Sequence, residues 1–242
     1  MSVKGFFDKY MEDRKEEQEF RDIVGTKEKP GRVASDIFDH PDKLDKMSRG
    51  AKKATVNYLK FLDPDVVLTS GHRQKYMYTK QSDKDLIKDT SEHTKKTPSD
   101  AADFSMKGLR GIAFKDFVKQ ALRGGDKTYK QKKYSKLKDI LLESVSKSKD
   151  AGFKYLLFEK HHSHHSTNPP ELTPIEKAKG QTIPRDVRFK KSDFSDFSPK
   201  MKKRFETLLE EVDLERMNNI FKEAEKKKKK RQAYFKWGQD AI

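Results

Sequence analysis

Residues 153–166 read Phe-Lys-Tyr-Leu-Leu-Phe-Glu-Lys-His-His-Ser-His-His-Ser, an apolar run that ends in a carboxylate and a knot of imidazoles. Four of the chain's seven histidines, His161, His162, His164 and His165, lie here, and Glu159 stands three residues before His162. A fifth, His93, comes shortly before Asp100 and Asp103. Neutral imidazole is the commonest protein ligand for zinc, and carboxylate is a frequent third. Two histidines and an aspartate, with a glutamate outside the ligand set, would make an open catalytic zinc site. A run of histidines also reads as a solvated tract that picks up metal without purpose, so the surrounding elements decide between the two.

Composition narrows the chemistry. The chain has 242 residues, enough for one core of moderate size or one core with extensions. Charged residues make up 39% and hydrophobic ones 33%, so segments outside the main core are expected. There is no cysteine, which excludes disulfides and thiolate ligands and leaves His, Asp and Glu for any zinc. The net charge is +16, a balance that favours polyanions such as nucleic acid, an anionic membrane or an anionic cell wall. No apolar run approaches membrane-spanning length. The first residues, Met1 to Asp8, lack the apolar stretch of a signal peptide.

The elements that must position these groups follow from periodicity and breakers. Residues 1–40 read as a charged arm, with Phe6, Phe7, Tyr10 and Met11 on one helical face, then Phe20, Ile23 and Val24. Leu44, Met47, Ala51, Ala54, Tyr58 and Leu62 predict a helix over 41–62, stopped by Asp63-Pro64. Val66 to Leu68 predicts a buried strand leading into Ser70-Gly71-His72-Arg73, with the glycine relieving the turn. Residues 74–92 read as a polar loop. Ala101 to Phe104 reads as a second strand. Phe114, Phe117, Val118, Ala121 and Leu122 predict a helix ended by Gly124-Gly125. Residues 126–133 read as a basic loop, and Leu137, Ile140, Leu141 and Val145 predict a helix ended by Gly152. A strand over 153–159 follows. Residues 169–197, rich in proline, read as an extended linker. Ser198-Pro199 starts a long amphipathic helix over 198–242, basic from Lys226 to Arg231. The expected fold is α+β: a small antiparallel sheet carrying the site in residues 41–168, packed helices, and helical extensions at both ends.

The order of these motifs resembles the zinc-dependent D-Ala-D-Ala carboxypeptidase family, which includes VanY- and VanX-like enzymes and bacteriophage endolysins. The resemblance runs over residues 45–168 and rests on Ser70-Gly71-His72-Arg73, Ser91-Glu92-His93, Ala101-Ala102-Asp103-Phe104 and Glu159-Lys160-His161-His162. It implies zinc held by His93, Asp103 and His162. It implies Glu159 as the general base, and Arg73 as the group that binds the substrate's carbonyl or carboxylate and stabilises the oxyanion. The chain departs from the family pattern in three places. His72 stands where the family has tyrosine. Nine residues separate His93 from Asp103, where the family has six. Ser99 occupies the place of a family glycine. Asp100 keeps the family spacing from His93, so it stays an alternative to Asp103. His161 and His164, each in a His-x-Ser context, stay alternatives to His162.

The function this implies is a zinc peptidase acting on peptidoglycan stem peptides, as a bacteriophage endolysin or virion-associated lysin. It would act on the cell wall from the host cytoplasm at lysis or from the virion. A virion assembly protein that keeps the fold without the reaction is the second expectation, with the 198–237 helix binding partner subunits. A basic nucleic-acid-binding protein is the third, although no nucleic-acid motif accompanies the charge.

Overall fold

A computed structural model describes residues 3–39, 42–62, 66–71, 76–79, 82–88, 98–106, 114–123 and 127–239. The architecture is α+β. A five-stranded sheet is built from β1 (Val66–Ser70), β4 (Ala101–Met106), β5 (Tyr155–Phe158), β6 (His162–Ser166) and β7 (Val187–Phe189), in the spatial order β1-β4-β6-β5-β7. The pairings are antiparallel except the last, where β7 adds to β5 in parallel. The sheet is therefore mixed rather than purely antiparallel. β2 (Tyr76–Thr79) and β3 (Ser82–Lys88) form a separate antiparallel pair inside the segment expected to be loop.

Cross-strand partners share a face of a sheet, and successive residues alternate. One face therefore carries Ala102, Phe104, Leu156, Phe158, Ser163, His165, Val187 and Phe189, all buried. Against it pack α3 (Arg49–Phe61), α4 (Phe114–Leu122), α5 (Lys127–Ala151) and the first turns of α7 (Pro199–Gln239), in two apolar clusters. The opposite face carries Asp103, Ser105, His162 and His164.

Several segments differ from the sequence reading. The helix expected over 41–62 is two, α2 (Asp42–Asp45) and α3, because Ser48 leaves the helical conformation and caps Ala51 N–H. Met47 there bridges to Ser99. The basic loop expected at 126–133 is helical from Lys127. Its first two turns carry no apolar stripe, so periodicity had nothing to register. Residues 169–197 are more than a linker. They hold α6 (Pro174–Ala178), capped reciprocally by Thr173 and Glu176, and the strand β7. They also place Phe194 and Phe197 in the core. The N-terminal arm is the helix α1 (Val3–Val24), which docks on α3. Phe20 and Val24 are buried there, and Glu16, Glu17 and Glu19 pair with Arg49, Lys52, Lys53 and Lys60. The face with Phe6, Phe7, Tyr10 and Met11 stays exposed. Among the described residues no helix is long and apolar enough to cross a membrane.

Candidate metal centre on the polar face of the sheet

The site begins at β4. Asp103 is 1% exposed, with Ala101, Ala102 and Phe104 fully buried around it in the strand. A carboxylate buried at that depth requires partners, and β6 supplies them. His164 lies directly across the ladder from Asp103, and His162 lies across from Ser105 on the same face. His164 Nδ1 donates to Asp103 Oδ1 at 2.9 Å, and His162 Nε2 stands 3.6 Å from Asp103 Oδ2. On the far side, Glu159 Oε2 lies 2.6 Å from the same His162 nitrogen, and Glu159 Oε1 pairs with Lys190 Nζ at 3.1 Å. The β5–β6 turn makes this possible: Glu159 N–H donates to the His162 carbonyl, closing the hairpin with the two side chains together.

The electrostatics give Glu159 a defined state. Burial pushes its carboxyl up, but the hydrogen bond and charge of His162, joined by Lys190, outweigh that and bring the pKa down to about 2. Glu159 is thus an ionised acceptor at neutral pH.

Geometry separates the alternatives left open by the sequence. Asp100 sits at the start of β4, where its carboxylate accepts from the Asn168 amide and its carbonyl from Thr167 N–H. It belongs to the strand's end, whereas Asp103 faces the histidines. His161 is exposed in the turn. His162 and His164 both face Asp103, and His162 alone also meets Glu159. His165 points to the other face. It is fully buried against Tyr58, Phe104 and Phe153, with ring centroids 4.7, 4.8 and 5.2 Å away. Its Nδ1 lies 2.8 Å from Ser148 Oγ and its Nε2 2.8 Å from Ser163 Oγ. Burial, then the neighbouring charge of His164, hold its pKa well below the ordinary value, so it is a neutral core residue.

Gly71 ends β1, and its role is space rather than turn geometry. A Cβ there would collide with the Lys43 carbonyl and the Met47 side chain. Arg73, His72 and His93 lie outside the described residues.

Asp103 and His162 supply carboxylate oxygen and imidazole nitrogen on adjacent strands, and their 3.6 Å separation is near the ~3.4 Å between two ligands of one tetrahedral zinc with bonds of about 2.1 Å. Among the described residues no group of three His, Asp or Glu side chains is arranged to hold a metal ion. Two donors and a neighbouring carboxylate come from β4, β6 and the turn before β6. Lys190, which follows β7, is the member of the cluster that sequence reasoning missed. Its only sequence signal was a place after a short Val-Arg-Phe strand in a segment read as linker. Comparison with protein-family models, with curated proteins and with solved structures finds no match to this chain.

Proposed function

We propose that the chain is a zinc-dependent peptidase acting on peptidoglycan stem peptides, in the manner of a bacteriophage endolysin or virion-associated lysin. The observation that carries this reading is the meeting of Asp103, His162 and Glu159 on the polar face of the sheet, in the spacing of the motif that the sequence resembles. Asp103 and His162 would hold the metal together with His93, with His164 fixing the Asp103 carboxylate through its 2.9 Å hydrogen bond. Zinc, when held there, supplies Lewis-acid activation of water and of the scissile carbonyl. Glu159 would accept the proton from the attacking water and return it to the leaving amine. Lys190 orients Glu159. Arg73, two residues beyond Gly71 in sequence, would stabilise the developing oxyanion.

The test combines metal content with hydrolysis of purified cell walls, on wild type beside His93→Ala, His162→Ala and Glu159→Gln. The reading expects about one zinc per chain, lost in both histidine variants. Glu159→Gln keeps the metal and loses about 100-fold or more of the hydrolysis. Absence of zinc, or no hydrolysis of walls of varied chemistry, overturns it.

A second reading, a non-hydrolytic assembly protein, is favoured by a separate observation. The last part of α7 exposes Leu214, Met217, Ile220 and Phe221, which a monomeric enzyme has no use for. Metal bound without hydrolysis of any wall supports that alternative.

A further inference from the structure

Helix α7 changes character along its length. In its first part Phe205, Leu208, Leu209 and Val212 are buried against the body. Past Val212 the apolar residues are exposed: Leu214 65%, Met217 40%, Ile220 41% and Phe221 62%. Positions 203, 207, 210, 214, 217, 221, 224 and 228 advance in alternating steps of four and three, and every one is exposed. That is the a/d spacing of a coiled-coil seam, on a helix exposed on every side from Met217 to Lys230.

The seam is self-complementary about its own midpoint. Leu214 and Ala224 are equidistant from Asn219, and so are Met217 and Phe221. Outside this apolar centre, Glu210 and Lys228 are equidistant from Asn219, and so are Glu211 and Lys227. Five acids, Glu206, Glu210, Glu211, Asp213 and Glu215, lie before Asn219; Glu223 and Glu225 lie after it, ahead of the unbroken lysines Lys226 to Lys230. A parallel pair would set the lysine run of one helix against its own copy, a like-charge arrangement that costs stability. An antiparallel pair sets it against the acids. Glu210 already pairs with Arg185 at 2.6 Å, yet its side chain stays 50% exposed and can accept from a second cation.

We propose that this face binds the same face of a second copy of the chain, antiparallel, about a two-fold axis near Asn219. Leu214 then packs on the partner's Ala224 and Met217 on the partner's Phe221. Glu210 meets the partner's Lys228. The contact is isologous and closes on itself, the commonest symmetry among homo-oligomers. Helix from 207 to 231 spans about 37 Å at 1.5 Å per residue, so the two bodies sit at opposite ends of the paired helices. The inference is independent of the peptidase reading.

Sedimentation equilibrium of the full chain tests it, with disulfide trapping to fix the orientation. The chain has no cysteine of its own, so an introduced one reports without background. The expected result is a concentration-dependent mass twice that of one chain. The double variant Met217→Glu/Phe221→Glu should weaken dimerisation at least tenfold while leaving the circular dichroism spectrum unchanged, since both residues are exposed. Leu214→Cys mixed with Ala224→Cys should give a cross-linked heterodimer, and neither alone should cross-link with itself. A single-chain mass at every concentration, a dimer indifferent to the double variant, or self-cross-linking of each single-cysteine variant overturns the proposal.

Discussion

On one side of β6, His164 and His162 face Asp103 and Glu159; on the other, His165 faces Tyr58, Phe104 and Phe153. His164 and His165 are adjacent in the chain and share a residue type. The two-residue period of a strand sends them to opposite environments. The polar face sets imidazoles among carboxylates, where Glu159 is held ionised. The apolar face buries an imidazole, satisfies it with two serine hydroxyls and keeps it neutral. A histidine-rich run is thus not a count of ligands. Strand parity sorts it.

The sharpest way to break this contrast is to remove each neighbour in turn. His165→Ala leaves a cavity in the aromatic cluster and strips a partner from both Ser148 and Ser163. The expected cost is about 3 kcal/mol or more, the scale of truncating a buried aromatic ring. His164→Ala removes one hydrogen bond to a buried carboxylate, with an expected loss of about 1–3 kcal/mol, and should weaken metal binding through Asp103. Urea denaturation of the metal-free proteins, alongside zinc titration, separates the two effects. If His164→Ala costs more stability than His165→Ala, or if His165→Ala abolishes zinc binding in a folded protein, the two faces do not divide as described.

The contrast also has a pH signature. The His165 pKa is lowered in the folded state, so below its unfolded value of about 6.5 the unfolded chain takes up a proton that the folded one refuses. Stability is therefore lost as pH falls, beginning near that value, at up to ~1.4 kcal/mol per pH unit from this group alone. Replacing the ring with an isosteric apolar one, His165→Phe, removes that contribution. The expected outcome is a shallower fall in stability between pH 7 and pH 5 in the variant than in wild type, measured by urea titration at each pH. Equal slopes would mean that His165 is accessible to protons in the folded state.

How far these arrangements could be read in advance depended on how local their causes were. The strands at Val66 and Ala101, the helix at Phe114 to Leu122 and the Ser198-Pro199 start all carry their signal within a few residues, and each appears where expected. Asp103 in an apolar strand flagged itself by the cost of burying a carboxylate. What the sequence withheld was set by pairing across distance. His162, His164 and His165 differ only in parity, and parity has meaning once β6 is registered against β4. β7 is three residues long, too short for a period, and it is a strand because β5 offers an edge to pair with. The docking of α1 through Glu16, Glu17 and Glu19 likewise rests on tertiary partners.

Lys190 offers the finest adjustment of the polar face, and so the smallest expected effect. Its side chain is 45% exposed and pairs with Glu159 at 3.1 Å, so solvent screens much of the attraction and Lys190→Met should cost less than about 1 kcal/mol of stability at neutral pH. Its consequence for charge is more telling. Burial raises the Glu159 pKa, while His162 and Lys190 together lower it, to about 2. Because the folded value is depressed, the stabilisation is present above the unfolded pKa, about 4.3, and is lost as pH falls through that window toward the folded value. Removing Lys190 takes away the smaller of the two opposing charges and leaves burial and His162, so the Glu159 titration should move upward and the window narrow from its acid side. An NMR titration of the Glu159 carboxyl carbon in wild type and Lys190→Met reads this directly. An unmoved titration would show that His162 alone holds Glu159 ionised, and that the polar face is organised by the β5–β6 hairpin without help from the segment that follows β7.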